Sequence, residues 1–265
     1  MTEKRVALIT GAGQGIGRRT AEVLAAKGYA LALNDIRPVD ATLANVRALG
    51  VEAIETLGDV SSESDVARMA LDVQHSFGRA DVLVNNAGIS FIRPAEEIAV
   101  DEWRRVIEVN LTGPFLMCRA FGKMMLARGE GAIVNVASVA GLSGIGDRAA
   151  YNASKHGLIG LTRTLASEWG GRGVRTNAVC PGWVKTEMDE ADQAGGFYSD
   201  ADIENRVPMA RFARPNEIAE AIAFLADPAL SGFVNGMELR VDGGWLADGS
   251  WDRLRLDHRR SKQQL

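Results

Sequence analysis

The sequence predicts an α/β fold built on a mostly parallel β-sheet. Short apolar segments alternate with longer amphipathic segments along most of the 265 residues, as strands and helices alternate in this fold class. The apolar segments are almost continuously hydrophobic, which is typical of strands covered by helices on both faces. No linker, low-complexity segment or internal repeat interrupts the pattern. We therefore expect one domain over residues 1–245.

The predicted strands are short apolar runs that end at glycine or polar residues. The first of them leads directly into a glycine-rich segment, and the others are separated by helical patterns. The predicted strands are residues 5–10, 29–35, 51–59, 81–84, 131–138, 174–182 and 236–244.

The predicted helices carry apolar residues at the spacing of one helical face, and several have recognisable ends. Ser61 or Ser62 is a candidate N-cap and Gly78 a candidate stop for the third helix. Residues 100–129 show one long helical pattern or two helices. The predicted helices are residues 15–28, 39–50, 62–78, 100–129, 149–170 and 215–227.

Two segments depart from the alternation. Residues 185–212 are polar and lie between a strand and a helix, and an insertion of this length is often a lid or a binding loop. Residues 246–265 extend beyond the last strand, and between 252 and 265 they hold five Arg or Lys against two Asp. We expect this extension to be a disordered, solvated end or, alternatively, to reach across a subunit interface.

Composition excludes several classes of protein. The chain is 46% hydrophobic and 24% charged with a net charge of −4, which gives no electrostatic reason to expect a nucleic-acid or membrane partner. The apolar stretch before Gly11 is too short for a signal peptide, and no run reaches the length of a membrane span. Cys118 and Cys180 are far apart and lack metal-ligand spacing. We expect a cytoplasmic protein without a metal site.

The segment TGAGQGIG at residues 10–17 fits the pattern T-G-x-x-x-G-x-G through Gly11, Gly15 and Gly17. A glycine-rich turn from strand to helix lets backbone amides approach a pyrophosphate at the positive end of the helix. The alternative is a tight turn that only packs the helix against the strand. Because the segment follows the first predicted strand, it indicates a dinucleotide site.

Two aspartates stand at the C-terminal ends of the second and third predicted strands. Asp35 could accept hydrogen bonds from an adenosine ribose and repel a 2′-phosphate, which favours NAD over NADP. Arg37 weakens that preference, because a basic residue nearby could receive the phosphate. Asp59 could bind the adenine amino group or cap a helix, and the sequence leaves both interpretations open.

Further polar turns follow the remaining strands. The C-terminal ends of these strands carry the segment NNAG at 85–88, Ser138, and Pro181–Gly182 with Thr186 beyond it. In an open parallel sheet, ligands bind outside the carboxyl ends of the strands. These turns therefore predict one site at that edge of the sheet.

The segment YNASK places Tyr151 four residues before Lys155, which puts both on one face of a helix. In isolation this could be an ordinary surface pair. It stands thirteen residues after Ser138, however, in a chain whose other polar turns gather at the same edge. A free tyrosine titrates near ~10, so action as a base near neutral pH needs about 4 kcal/mol of phenolate stabilisation, which a nearby cation can supply in part.

In their order and spacing these motifs resemble those of the short-chain dehydrogenase/reductase family over roughly residues 4–245. The resemblance implies a Rossmann-type, doubly wound parallel sheet of about seven strands with helices on both faces. It implies hydride transfer between NAD(P) and an alcohol or carbonyl substrate, with NAD favoured through Asp35. It also implies a homotetramer or dimer, with contacts through the helices of 101–128 and 149–170.

The resemblance also implies roles for individual residues. Tyr151 would be the general acid/base, Lys155 would lower its pKa and bind the nicotinamide ribose, and Ser138 would orient the substrate. Asn110 would support a water that relays protons from Lys155. The implied cofactor-binding residues are Gly11, Gln14, Gly15, Ile16, Gly17, Asp35, Asp59, Val60, Asn86, Ala87, Gly88, Tyr151, Lys155, Pro181, Gly182, Val184 and Thr186.

The substrate is not specified by these motifs. The candidate pocket is partly apolar with few charges, which suits a neutral carbonyl or alcohol of modest size. Asp147 and Arg148 could bind a polar substrate, but we expect a solvated loop pair. The candidate substrate-binding residues are Ser138, Leu142, Ser143, Tyr151, Trp183 and Met188.

Three functions fit the sequence. The favoured one is an NAD-dependent dehydrogenase of a secondary alcohol, polyol, sugar or small hydroxy compound. The alternative is a 3-oxoacyl thioester reductase, for which Arg128 and Arg172 could supply basic residues near the pocket mouth, although we expect both to cap strand-entry turns. A non-catalytic cofactor-binding sensor is the third, and the presence of Ser138, Tyr151 and Lys155 counts against it.

Overall fold

A parallel β-sheet forms the centre of the computed structural model, which describes residues 4–257. Within those residues the sheet has seven strands in the order β3-β2-β1-β4-β5-β6-β7. Every neighbouring pair is parallel. The strands are β1 (Val6–Thr10), β2 (Ala30–Asn34), β3 (Ala53–Glu55), β4 (Val82–Asn85), β5 (Gly131–Val136), β6 (Val174–Pro181) and β7 (Glu238–Val241).

Helices connect the strands and cover the sheet. α4 and α5 are joined by a π-helical turn at Glu108–Thr112, so the long helical pattern of 100–129 contains two helices. The helices are α1 (Gly15–Ala26), α2 (Asp40–Ala48), α3 (Glu63–Phe77), α4 (Val100–Ile107), α5 (Gly113–Arg128), α6 (Ala149–Trp169), α7 (Glu187–Ala194), α8 (Asp200–Arg206), α9 (Pro215–Ala226) and α10 (Pro228–Ser231).

The two faces of the sheet pack against different helices. Side chains alternate along a strand, so Ile9 of β1 packs in one apolar cluster with α1 and α9, whereas Leu8 packs in another with α3 and α5. Leu24 and Ile222 belong to the first cluster and Phe121 to the second, and all are fully buried. This explains why the strand sequences are continuously apolar. The predicted fold class is confirmed.

Some boundaries differ from the predicted ones. β3 and β7 are shorter than the predicted strands at 51–59 and 236–244, because only their central residues pair with β2 and β6. The polar segment 185–212 contains α7 and α8. Ser62 caps α3 by accepting a hydrogen bond from the amide of Asp65.

The residues after β7 pack on α8. Trp245 stacks on Trp183 with ring centroids 4.2 Å apart, and Arg206 of α8 pairs with Asp248 at 3.1 Å. The amide of Asp257 donates to the side chain of Asn205. The predicted disordered end therefore has ordered contacts up to residue 257, and its remainder, residues 258–265, lies outside the described residues.

Two properties of residues 4–257 concern membranes and metals. No helix in this range is both long and apolar enough to cross a membrane. The same range holds no group of three or more His, Cys, Asp or Glu side chains placed to bind a metal ion. Cys118 and Cys180 are buried and not disulfide-bonded.

Candidate active site

The glycine-rich turn after β1 brings backbone rather than side chains to the start of α1. Gly15, the first residue of α1, has a φ of +51°, which favours glycine. A Cβ on Gly17 would overlap the carbonyl oxygen of Gly11, so only glycine fits there. The turn therefore presents backbone amides, and it fits the pyrophosphate of a dinucleotide, which binds at the positive end of a helix. Of the other predicted residues here, Gln14 is exposed and Ile16 packs against the core.

Asp35 lies directly after β2, against the glycine-rich turn. Its Oδ2 accepts a hydrogen bond from the amide of Gly13 at 3.1 Å, and its Oδ1 accepts one from the amide of Arg37 at 3.3 Å. The side chain of Arg37 is exposed. The carboxylate is therefore held against the glycine-rich turn.

Asp59 follows β3 and is held by neighbours on two elements. Its carboxylate accepts hydrogen bonds from the amide and hydroxyl of Ser61, and it pairs with Arg105 of α4 at 2.8 Å. Burial raises the pKa of Asp59, but these hydrogen bonds outweigh it and hold the pKa below its ordinary value. Because Ser62 caps α3, the capping interpretation of Asp59 is wrong. Val60 is buried beside it.

The turn after β4 is tied to the glycine-rich turn. Asn86 donates from Nδ2 to the carbonyls of Thr10 and Gly11 at 2.9 and 3.1 Å. The hydroxyl of Thr10 accepts from the amides of Asn86 and Ala87, each at 3.0 Å. A Cβ on Gly88 would lie 3.3 Å from Oδ1 of Asn110, so this turn also approaches the interior residues described next.

Tyr151 and Lys155 lie on one face of α6, as the four-residue spacing predicts. The Nζ atom of Lys155 is 5.5 Å from the centroid of the Tyr151 ring and donates to the carbonyl of Val136 at 2.8 Å. Ser138, just beyond β5, interacts with the Tyr151 hydroxyl and favours its ionised form. The strand end and the helix thus bring three predicted catalytic side chains together.

Burial and charge act in opposite directions on this group. Burial raises the pKa of Tyr151 above its ordinary value, and the hydrogen bond to Ser138 and the positive charge of Arg148 offset this only in part. Burial also lowers the pKa of Lys155 to about 8, so the ammonium form predominates at neutral pH. The sequence predicted a lowered pKa for Tyr151; in this structure desolvation is the larger effect.

Asn110 lies in the π-helical turn between α4 and α5 and is fully buried. Its Oδ1 accepts from the amide of Ile89, and its Nδ2 donates to the Ile89 carbonyl, both at 2.9 Å. Nδ2 also lies 3.2 Å from the hydroxyl of Ser154, which donates to the carbonyl of Tyr151. Asn110 therefore connects the turn after β4 with the catalytic helix.

The residues after β6 close the far side of the site. The amide of Gly182 donates to the carbonyl of Val241, and Val184 is buried in a bridge with Ala213. Thr186 caps α7, and its Cγ2 would lie 3.4 Å from a Cβ on Gly15. The chain from Pro181 to Thr186 thus runs from the end of β6 to the glycine-rich turn.

Comparison with known proteins identifies the family. A family model described as enoyl-(acyl carrier protein) reductase matches residues 11–246, which span the whole of this site. The chain belongs to the short-chain dehydrogenase/reductase family. As a member of it, the protein is an NAD(P)-dependent oxidoreductase of secondary alcohols and ketones.

Individual short-chain dehydrogenases/reductases resemble the chain along nearly its full length. It is 43% identical over 244 residues to D-threitol dehydrogenase from Mycolicibacterium smegmatis, covering 91% of this chain and 92% of that protein. It is 40% identical over 245 residues to 3-oxoacyl-[acyl-carrier-protein] reductase from Synechocystis, covering 91% and 97%. The crystal structure of levodione reductase superposes with a TM-score of 0.88 at 38% identity, covering 92% and 98%.

The predicted substrate-binding residues of this dehydrogenase/reductase lie in different surroundings. Ser138 interacts with the Tyr151 hydroxyl, whereas Leu142 packs in a small apolar cluster beside β6. Trp183 stacks on the tryptophan that follows β7, and Met188 on α7 is 40% exposed. Ser143 is half-buried.

Arg148 is not part of a solvated loop pair, which corrects the prediction for it. Its side chain is only 11% exposed, because it forms an ion pair at 2.7 Å with Asp192 of α7 and donates to the hydroxyl of Ser90. Asp147, its predicted partner, is exposed. Forty-four residues separate Arg148 from Asp192, so no local sequence pattern could have indicated the pair.

Glu187 is a second residue of the site that sequence reasoning missed. It is the first residue of α7, and its Oε2 would lie 3.4 Å from a Cβ on Gly15. A carboxylate therefore lies beside the turn that fits the pyrophosphate. The sequence holds no signal for this contact, since it depends on where the chain after β6 is placed.

Arg128 and Arg172 lie away from the pocket mouth. Arg128 ends α5 just before β5, and Arg172 precedes β6. Both are therefore at the amino edge of the sheet, opposite the edge that carries Ser138 and Tyr151. Both arginines lie just before strands, as the strand-entry interpretation predicts, so neither lies at the pocket mouth where a carrier-protein substrate would need it.

Proposed function

We propose that the protein is an NAD-dependent dehydrogenase that oxidises a secondary alcohol in a polyol, sugar or small hydroxy compound, or reduces the corresponding ketone. The observation that carries this proposal is that Ser138 interacts with the Tyr151 hydroxyl and that the Lys155 ammonium lies 5.5 Å from the centroid of the Tyr151 ring. This is the arrangement that proton transfer at a carbinol oxygen requires.

Each catalytic side chain has a role in this proposal. Ser138 hydrogen-bonds the substrate oxygen and holds it at Tyr151, which takes the hydroxyl proton during oxidation and returns it during reduction. Lys155 stabilises the phenolate against the cost of burial. Asn110 fixes the start of α6 and supports a proton relay from Lys155. A bound nicotinamide supplies the hydride acceptor or donor.

The remaining turns would hold the cofactor. Backbone amides from Gly11 to Gly17 would bind the pyrophosphate, and Asp59 the adenine. The turn of Asn86 to Gly88 and the chain from Pro181 to Thr186 would enclose the nicotinamide end. Asp35 favours NAD, because its carboxylate at the glycine-rich turn would bind ribose hydroxyls and repel a 2′-phosphate.

The alternative substrate class is a 3-oxoacyl thioester. It is favoured by the 40% identity to the reductase from Synechocystis. The position of Arg128 and Arg172 at the opposite edge of the sheet counts against it. The 43% identity to D-threitol dehydrogenase favours a polyol.

We further propose a cytoplasmic homotetramer or dimer whose catalytic domain spans residues 1–245, with 185–212 as its substrate loop and 246–265 as an extension. The buried free thiols suit a reducing compartment. Trp103 and Phe115, exposed at 38% and 44%, give α4 and α5 apolar surface for subunit contact.

The test is a dehydrogenase screen that follows NADH and NADPH over polyols, sugars, hydroxy acids, cyclic alcohols and 3-hydroxyacyl thioesters. We expect turnover of a polyol or other secondary alcohol with NAD. Tyr151→Phe should abolish turnover while NAD binding, measured by fluorescence titration, is retained. Turnover of the Phe variant near the wild-type rate would overturn the role of Tyr151, and a strong preference for thioesters would overturn the substrate class.

A further inference from the structure

We propose that Arg148 and Asp192 are a positioning pair that holds α7 against the catalytic helix and controls the net charge beside the Tyr151 hydroxyl. The inference rests on the proposed role of Tyr151 as the general acid/base. It adds two residues that act through Tyr151.

The pair joins two elements that are far apart in sequence. Arg148 immediately precedes α6, three residues before Tyr151, and Asp192 lies in the last turn of α7. Their side chains are 11% and 13% exposed, and Nη2 of Arg148 lies 2.7 Å from Oδ2 of Asp192. Nη1 donates to Ser90 Oγ at 2.7 Å, so the guanidinium also fixes the loop after β4. Removing one member would leave a largely buried charge without its partner.

The other strong contacts of α7 lie within its own segment. Lys185 pairs with Asp189 and Asp200 at 3.2 and 2.6 Å, and the hydroxyl of Tyr198 donates to Asp189 at 2.9 Å. These contacts give 185–206 its shape but do not attach it to α6. The Arg148–Asp192 pair makes that attachment, so it determines how α7 is placed over the site.

Both members also act on the Tyr151 hydroxyl through space. Burial has the largest effect and raises the pKa of Tyr151; the positive charge of Arg148 lowers it, and the negative charge of Asp192 raises it. The polar and ionisable groups around Tyr151 are Ser138 after β5, Arg148 immediately before α6, Lys155 on α6, Cys180 of β6 and Asp192 of α7.

The two charges therefore offset each other while α7 is attached. When Asp192 moves away with α7, Arg148 remains three residues from Tyr151 and favours the phenolate. A pair that only stabilised the segment would not shift the pKa of Tyr151 in opposite directions when one or the other member is removed. The direction of the pKa shift in each variant therefore tests the proposal.

The test compares pH profiles of kcat/KM for alcohol oxidation, which rises with pH as Tyr151 loses its proton. Asp192→Asn should move this rise to lower pH by about half a unit or more, and Arg148→Gln should move it to higher pH by a similar amount. Both should raise KM for the alcohol on the order of tenfold, because α7 is released. Arg148→Lys, which keeps the charge, should raise KM with little change in the pH profile.

Two further variants separate attachment from general disturbance. The double variant Arg148→Asp with Asp192→Arg restores an ion pair, so its KM for the alcohol should lie closer to the wild-type value than that of either single variant. Lys185→Gln, the matched control within the same segment, should leave the pH profile unchanged. NAD binding and thermal unfolding identify any variant that fails to fold, and Arg148→Lys then replaces Arg148→Gln as the test of attachment.

The proposal is overturned if Asp192→Asn and Arg148→Gln shift the profile in the same direction, or if neither changes KM. Failure of the proposed function gives a different result, because Tyr151→Phe would then retain turnover. An active wild type with an inactive Tyr151→Phe and unshifted profiles would reject the positioning pair alone.

Discussion

At the scale of single residues, the site is governed by charges that lie close to backbone or to buried hydroxyls. Tyr151 illustrates this, since burial opposes its ionisation while Ser138 and Arg148 favour it. The spacing of Tyr151 and Lys155 could be predicted from the sequence, because helix geometry alone puts them on one face. The contribution of Arg148 could not, because it depends on a partner in a distant helix.

Glu187 is a second charge that lies close to backbone, because its carboxylate lies beside the glycine-rich turn. Glu187→Gln removes a negative charge from the place where the pyrophosphate would bind. We expect NAD and NADH to bind about threefold to tenfold more tightly, on the order of 1 kcal/mol. Isothermal titration calorimetry of both cofactors measures the change.

Glu190→Gln is the control for Glu187→Gln, since Glu190 is an exposed carboxylate on the same helix. Glu190→Gln should change the affinity for NAD and NADH less than Glu187→Gln does. The difference between wild type and Glu187→Gln should also shrink as salt is added, because screening weakens exposed charges. Equal or weaker binding by Glu187→Gln at low salt would contradict the charge argument.

At the scale of elements, helix ends and strand ends carry most of the specific chemistry. The sequence indicated the start of α3 through Ser61 or Ser62, because capping is local. The short β3 and the π-helical turn that holds Asn110 were not predicted. Strand pairing and the geometry of that turn depend on neighbouring elements rather than on local sequence.

Glu217 at the start of α9 provides a test of pH dependence. Hydrogen bonds from Arg211 and the amide of Arg214 lower its pKa to about 2, below the ordinary value of 4.5. The ionised carboxylate therefore stabilises the folded state fully above about pH 4.5, and this contribution is lost as the pH falls towards 2. Glu217 is 27% exposed, so we expect its ionised carboxylate to contribute only about 1 kcal/mol to the free energy of unfolding.

Urea unfolding of Glu217→Gln measures this effect. At pH 7 the variant should be less stable than the wild type by about 1 kcal/mol, and the difference should narrow between pH 4.5 and pH 3. Glu220→Gln, on the same helix and 52% exposed, should change stability less. A constant difference across this pH range would show that ionisation of Glu217 is not the cause.

At the scale of the whole molecule, the alternation of strands and helices was sufficient to predict the fold class and the edge that carries the site. Every polar turn after a parallel strand lies at the same edge, so their proximity follows from topology. The placement of 185–212 did not follow from topology. Contacts such as Arg148–Asp192 cross more than forty residues, and only the packed structure determines them.

Subunit association is the prediction that belongs to the whole molecule. Phe115→Asp would place a charge on the exposed apolar surface of α5, so we expect a smaller assembly than the wild type. Light scattering coupled to size-exclusion chromatography measures the mass. Leu71→Asp, at an exposed position of α3, is the matched control and should leave the mass unchanged. Loss of association in both variants would count against α5 as the contact surface.

The position of β1 in the sheet has a consequence for biosynthesis. Of the seven strands in residues 4–257, β1 is translated first, yet it lies inside the sheet between β2 and β4. Ala7 pairs with Val82 of β4, so one side of β1 has no partner until more than seventy further residues have been made. A product that terminates before β4 therefore exposes an apolar strand edge and is expected to aggregate or be degraded.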